Sequence, residues 1–220
     1  MDHPILAAWN RAAVATLPPV TTVWDAHTHT GDTDPDGFTN TAGQLLATLD
    51  GAGHAGAVVC TSADPLGYRL HNDRVAAEAK ASDGRFIPFL RVDPNAADAL
   101  DEVRRSLDAG HRGIKLHPRS DGFRLGDPVV FDIAAIAAQR RVPLLVHAGR
   151  GMEPLGDAPL RLVDAHPGLE IVLAHCGISD LARIAPEART RAGIKFDTAW
   201  WNPADLAALF GWVDAAQILY

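Results

Sequence analysis

Eight short runs of aliphatic and β-branched residues, beginning near Val23, Ala55, Arg85, Arg112, Val142, Leu169, Gly193 and Ala216, recur along the chain with helix-like stretches between them. Segments such as Ala96 to Ala109 and Val130 to Arg140 carry Ala, Leu, Ile, Asp and Arg with apolar positions at helical spacing, the pattern of amphipathic crossovers. Strand and helix alternating in units of roughly thirty residues require parallel strands, because a parallel neighbour is reached only through a crossover. Eight units favour closure, so the expected fold class is α/β, a TIM (β/α)8-type barrel; a doubly wound open sheet is the alternative. The last run, Ala216 to Tyr220, reads as an eighth strand that stops where a loop should begin. The barrel is therefore expected to be truncated after strand eight, with no final helix.

A chain of 220 residues is long enough for one sizeable core and shows no linker-like stretch, which predicts a single domain over residues 1–220. Residues 1–20 read as an amphipathic helix with Ile5, Leu6, Trp9 and Ala13 on one face, ended by Pro18-Pro19 and covering the barrel bottom. Asp2 stands where a signal peptide would be basic, and Asn10 and Arg11 interrupt the apolar stretch, so neither a signal peptide nor a membrane span is expected. A formal charge of −7, with 20 Lys plus Arg against 27 Asp plus Glu, leaves no broad basic surface for a phosphate backbone, which excludes nucleic acid as a partner. Cys60 and Cys176 lie in apolar runs and read as reduced core thiols, consistent with a cytoplasmic setting.

Histidines mark one end of these runs. Val23-Trp24-Asp25-Ala26-His27-Thr28-His29-Thr30-Gly31 places two imidazoles two residues apart, on one side of a strand, where one ion can take both. Alone, His-x-His also fits two surface histidines in a turn. Three further runs, ending in Lys115-Leu116-His117-Pro118, Val146-His147-Ala148-Gly149 and Ala174-His175-Cys176-Gly177, each set a histidine where apolar residues give way to small or turn-forming ones. Counting back in steps of two puts Asp25 with His27, Leu145 with His147, Leu173 with His175, and Lys115 with His117 on the inward side. In a closed barrel such positions converge at the carboxyl end of the strands, where enzymes of this architecture place their sites.

The ordered set DAHTHTG, GIKLHP, VHAG and LAHCG resembles the amidohydrolase superfamily, and within it the amidohydrolase-2 branch of metal-dependent TIM barrels, over most of the chain from Val23 onward. The resemblance implies that His27, His29 and His147 bind metal and that His175 ligates it or acts as acid/base beside it. It further implies an aspartate in a Gly-Ser-Asp turn after strand eight, which matches no residue before Tyr220. On that basis the chain is expected to be a fragment or truncated product, or to use another carboxylate, with Asp197 the nearest candidate. In binuclear relatives a carbamylated strand-four lysine bridges two metals, a role open to Lys115. His117 at i+2 could fill that layer itself, which leaves Lys115 as a paired barrel lysine and a single divalent metal ion as the favoured cofactor. Imidazole ligands favour Zn2+, with Mn2+ or a binuclear site as alternatives. His117 is expected to contact substrate or support the metal layer from outside it.

The remaining histidines, His3, His54, His71, His111 and His166, fall at helix ends or in loops and are assigned no role. Gly51 to Gly56 matches G-x-G-x-x-G but precedes a strand, whereas a dinucleotide fingerprint follows one. Asp32 to Gly37 copies the start of a calcium loop, but Gly43 stands where the bidentate glutamate belongs. Cys176 should face away from His175 by strand alternation, hence into the core. The Thr30 to Thr39 segment and the Arg150 to Glu153 turn lie on the side of the site. Arg69, Arg119 and Arg150 are candidates to grip a substrate carboxylate, with Arg150 favoured, and Trp200 or Trp201 could wall an apolar or aromatic substrate.

The function expected first is hydrolysis of a small amide, lactone or ester by a metal-activated water, with His175 stabilising or protonating the oxyanion. The resemblance equally permits nonoxidative decarboxylation of an aromatic or unsaturated acid on the same metal layer. A third reading is an incomplete, catalytically impaired barrel that binds metal or ligand. A gap between strands one and eight would favour self-association, so a homo-oligomer is possible, with a small molecule as the substrate.

Overall fold

A computed structural model describes residues 8, 11–12, 15–18, 21–34, 37–149, 151, 153–178, 180–200 and 203–220, with the side chains of 203–205 left aside. Eight strands form one sheet in sequential order: β1 (Trp24–Thr30), β2 (Gly56–Thr61), β3 (Phe86–Arg91), β4 (Gly113–Leu116), β5 (Leu144–Val146), β6 (Ile171–Leu173), β7 (Ile194–Asp197) and β8 (Ile218–Leu219). Every adjacent pair is parallel. Sequential order removes the doubly wound alternative, in which the order reverses at a switch point. Past β8, the Ala26 N–H on β1 donates to the Tyr220 carbonyl at 2.6 Å, so the two edges of the sheet meet. The barrel is nearly closed, and residue 220 directly follows its eighth strand.

Helices α1 (Ala42–Ala52), α2 (Arg69–Ala81), α3 (Ala99–Asp108), α5 (Pro128–Arg140), α6 (Ala158–Ala165), α7 (Leu181–Ala188) and α8 (Pro203–Trp212) are the crossovers, while α4 (Pro118–Asp121) is a single turn after β4. Their ends follow local chemistry. Thr41 and Gln44 form a capping box at the start of α1, with Gln44 N–H donating to Thr41 Oγ1 at 3.2 Å and Thr41 N–H to Gln44 Oε1 at 2.9 Å. Gly53, at φ 74°, ends the same helix. The Gly51 to Gly56 run therefore leads from a helix into a strand, as its order in the sequence requires. The proposed bottom helix falls largely outside the described residues, as do Ile5, Leu6, Trp9 and Ala13.

Strand alternation separates two apolar layers. Leu90, Ile114, Leu116, Leu144, Val146, Ile171, Leu173, Ile194 and Phe196 pack outward with α3, α5 and α7. Cys60, Phe89, Leu145, Val172 and Ala174 fill the barrel interior. Gly113 allows this filling. A Cβ on it would lie 2.3 Å from the Phe89 ring, so the missing side chain on β4 is the space Phe89 occupies. Burying a Phe side chain stabilises by about 1.5–3 kcal/mol, and displacing this ring would forfeit part of that. Gly113→Ala is expected to destabilise the fold by about 1–3 kcal/mol. Chemical denaturation of both proteins checks this; an unchanged midpoint would mean the interior is loosely packed.

Candidate metal centre

The imidazoles expected from the sequence gather at the carboxyl end of the strands. Ring centroids lie 5.0 Å apart for His27 and His29, 5.4 Å for His27 and His175, and 4.9 Å for His147 and His175, while His117 stacks on His147 at 3.8 Å and 11°. Lys115 is fully buried on β4, and its Nζ lies 2.7 Å from His27 Nε2. Trp200 stacks on His175 at 4.7 Å and 14°, with most of its surface exposed. Arg150 and Trp201 lie outside the described residues.

Two elements deliver their side chains differently from a simple count in twos. A register shift between Asp25 and Thr28 interrupts β1, and Asp25 accepts the His27 backbone N–H at 3.0 Å. The second is a correction: Leu173 packs in the outer layer, and Val172 and Ala174 face the interior. His175 reaches the centre because β6 ends at Leu173 and the chain turns through left-handed backbone at His175 (φ 55°) and Cys176 (φ 54°). Such conformations cost non-glycine residues about 1–3 kcal/mol each and persist only where contacts over-determine them. One such contact is the Cys176 thiol, buried and donating to the Asp197 carbonyl at 2.9 Å. Cys176 is thus buried through a turn rather than through strand alternation.

The hydrogen-bond partners assign the ring protons. His29 Nδ1 faces the Thr61 carbonyl at 3.2 Å, and His175 Nδ1 faces the Ala199 carbonyl at 3.1 Å; carbonyls only accept, so both nitrogens carry hydrogen. His27 Nδ1 faces Asp197 Oδ2 at 2.8 Å while its Nε2 receives the Lys115 ammonium, which gives the same tautomer. His29 Nε2 and His27 Nε2 consequently turn electron pairs toward each other across 3.1 Å. His147 Nε2 is buried with no hydrogen-bond partner among the described residues. His27 Nε2 already accepts from the Lys115 ammonium, while donor atoms of His27, His29 and Cys60, and of His27, His175 and Asp197, lie within 4.8 Å of one another, so the cluster's nitrogen, sulfur and oxygen donors fit a divalent metal. His117 differs: the Ser120 N–H donates to its Nδ1 at 3.2 Å, leaving Nε2–H as a donor.

Electrostatics favour neutral rings. Burial pushes the pKa of His27 and His29 far down, and Lys115 adds to this for both. Burial likewise lowers His117 and His147, each also facing Lys115. For His175 burial lowers the pKa, opposed by Asp197 and the Ala199 carbonyl. Asp197 is itself raised by burial, against hydrogen bonds and charges that favour its anion. Lys115 is brought down to about 8, by burial first and Arg91 second.

Some neighbours carried no signal that was used in reading the sequence. Arg91 on β3 pairs in register with Lys115, is 1 % exposed, bonds Ser120 Oγ and lies 3.2 Å from Asp121. Tyr68 donates to the same carboxylate at 2.5 Å and stacks under the Arg91 guanidinium at 4.7 Å. A lone cation at the inward position of Phe-Ile-Pro-Phe-Leu-Arg, two residues after Phe89, was the available clue. Cys60, read as a core thiol, is buried but places Sγ 3.4 Å from His29 Nδ1. Arg69 lies largely in solvent, 4.0 Å from Glu102. Arg119 lines a groove of about 970 Å³ with Arg124, Glu153 and Arg161. Of the histidines assigned no role, His54 packs on Tyr220, His71 pairs with Asp64 at 2.5 Å, His111 bonds the Ser106 carbonyl and His166 packs on Phe131, all with partners outside the imidazole cluster.

The sequence matches the amidohydrolase family, of the Amidohydro_2 type, over residues 24–220. The chain belongs to this amidohydrolase family. No curated protein sequence matches it. Among solved structures it is similar to a dihydroxybenzoic acid decarboxylase from Polaromonas sp. JS666 with bound manganese and the inhibitor 2-nitroresorcinol, at a TM-score of 0.71 and 15% identity, covering 91% of this chain and 85% of that one. A putative amidohydrolase from Staphylococcus aureus gives a TM-score of 0.70 and 13% identity over 90% and 86% of the two chains. The 5-carboxyvanillate decarboxylase of Sphingomonas paucimobilis gives 0.61 and 18% over 82% and 71%. At these identities the likeness is one of fold. Among the described residues, no helix of this amidohydrolase is long and apolar enough to cross a membrane.

The depressed Lys115 pKa has a consequence for stability. Between about 8 in the folded chain and its ordinary value near 10.5, the unfolded state binds the extra proton, so stability rises with pH across that window. Relative to Lys115→Met, metal-free wild type is expected to gain on the order of 3 kcal/mol between those limits and nothing below pH 7. Denaturant unfolding across pH 6 to 10.5 checks this; parallel curves for the two proteins would contradict it.

Proposed function

We propose that this amidohydrolase is a metal-dependent decarboxylase that releases carbon dioxide, without oxidation, from a small aromatic or unsaturated acid. The observation that carries the reading is the largely exposed Trp200 indole stacked on His175, in a barrel that also buries Lys115 and Arg91. An aromatic acid finds an exposed indole at the mouth and positive charge deeper in the barrel. Further support comes from the neighbours: two of those named above are decarboxylases of aromatic acids, and a third structure holds 2,6-dihydroxybenzoate in its decarboxylase, at a TM-score of 0.68.

A divalent ion held by His27, His29 and His147 would supply positive charge that fixes the substrate's oxygens and stabilises the developing negative charge. Lys115 pairs with the substrate carboxylate, and His117 donates its Nε2–H to a substrate oxygen. His175 takes a proton from solvent on Nε2; burial makes the imidazolium acidic, so it readily gives that proton up. The carbon–carbon bond breaks, its electron pair stays on the ring carbon, carbon dioxide leaves, and the His175 proton completes the product. Trp200 holds the ring and excludes water.

Hydrolysis of an amide, lactone or ester ranks second. Water attack needs a base, and Asp197, whose oxygens accept from His27 Nδ1–H and the Ala199 N–H but keep further electron pairs, is one at hand; what sets hydrolysis second is the aromatic contact offered by Trp200. A divalent cation is supported by the donor set; the Polaromonas neighbour binds manganese, and zinc stays a proposal from imidazole chemistry.

The test offers metal-loaded protein a panel of hydroxybenzoates together with their amides and methyl esters. The expected result is one carbon dioxide per acid consumed, with Trp200→Ala lowering kcat/KM by about 10-fold through lost stacking. Turnover of amides or esters without carbon dioxide would replace this reading with hydrolysis. Ligand binding with no turnover would leave a barrel that only binds.

A further inference from the structure

We propose that Asp197 is a positioning residue whose single carboxylate fixes the tautomers of both His27 and His175, so that each turns an Nε2 electron pair into the barrel. The proposal concerns the metal-free chain; only its consequence for ion affinity rests on the metal-site reading above.

Asp197 ends β7, is 1 % exposed and has both oxygens occupied. Oδ2 accepts from His27 Nδ1 at 2.8 Å. Oδ1 accepts the Ala199 N–H at 2.7 Å and faces the His175 N–H at 3.4 Å. The first of these bonds holds Ala199 so that its carbonyl receives His175 Nδ1 at 3.1 Å. One side chain therefore acts on His27 directly and on His175 through a main-chain carbonyl. It joins β7 to β1 across the interval filled by the two-residue β8.

The arrangement needs an acceptor at both oxygens, which an amide does not offer. In Asp197→Asn the amide oxygen can stay on the Ala199 N–H; its NH2 then faces His27 Nδ1 and drives the ring proton to Nε2. If the amide flips, NH2 meets the Ala199 and His175 N–H groups, and donor facing donor pushes the Ala199 carbonyl off His175. Either way, one imidazole loses its bias toward Nδ1–H. Carboxylates that orient metal-binding imidazoles typically change metal affinity by about 10- to 100-fold when removed.

The experiment is long-range proton–nitrogen NMR of the histidine rings in 15N-labelled, metal-free protein, with calorimetric titration of Zn2+ and Mn2+ as a second readout. Wild type is expected to show Nδ1–H at both His27 and His175. Asp197→Asn should switch at least one of them to Nε2–H and weaken ion affinity by about 10- to 100-fold, at an unchanged far-UV spectrum. A variant that keeps both Nδ1–H tautomers overturns the proposal. If the variant does not fold, wild type alone decides, because Nε2–H on metal-free His27 or His175 also overturns it. Addition of Zn2+ gives a further check: a His27 that exchanges its Nδ1 proton for one on Nε2 would no longer be oriented by Asp197 and would end the proposal. Wild type with both Nδ1–H tautomers but no ion binding would support Asp197 and sink the metal reading instead.

Discussion

A buried imidazole N–H must find an acceptor, and in this barrel the acceptors lie behind the rings. The Thr61 and Ala199 carbonyls and the Asp197 carboxylate take the Nδ1 protons of His29, His175 and His27. Each bond anchors a ring by its protonated edge and leaves the other edge, with its electron pair, facing the centre. Desolvation then keeps the rings neutral, because an imidazolium there would be a buried charge beside Lys115. Neutral rings with converging electron pairs bind cations. A site that instead protonated its histidines would repel them.

The scaffold serves this arrangement through the lengths of its strands. β5 and β6 hold three residues each, so His147 and His175 fall just past the sheet, on backbone free to turn. Below them, the interior is close-packed, with Phe89 in the space of the absent Gly113 side chain. Between floor and mouth lies a layer of charge. Lys115 and Arg91 are matched by Asp197 and Asp121, and Asp121 is itself held by Tyr68 and Ser120. Buried cations left unpaired would cost several kcal/mol, which these carboxylates offset.

Much of this was legible in the sequence, for a physical reason. Alternation of strand and helix periods reports topology directly, and a histidine at the end of an apolar run reports the rim of a parallel barrel. That logic located His27, His29, Lys115, His117, His147 and His175, which the fold brings together. It went astray at Leu173, because a period of two holds only while the strand lasts, and β6 ends two residues before His175. The acceptor network was not legible. Main-chain carbonyls leave no mark in a sequence, and Asp197 reads as a substitute carboxylate for the metal site until its distance from β1 is known. Arg91 was passed over for the opposite reason: a cation inside an apolar run was visible, but its partners Asp121 and Tyr68 come from other loops. The proposed decarboxylation draws on a contact of the same kind, Trp200 stacked on His175, between residues 25 apart in the chain.

The claim on which the rest depends is that the imidazole electron pairs converge on one divalent ion. X-ray absorption spectroscopy on Zn2+- or Mn2+-loaded protein, with elemental analysis of wild type beside His29→Ala, tests it most directly. The account predicts about one ion per chain, a first shell dominated by imidazole nitrogen at about 2.0–2.2 Å for zinc, and loss of the ion in the variant. Folded wild type that retains no ion, or a first shell of oxygen alone, would contradict it.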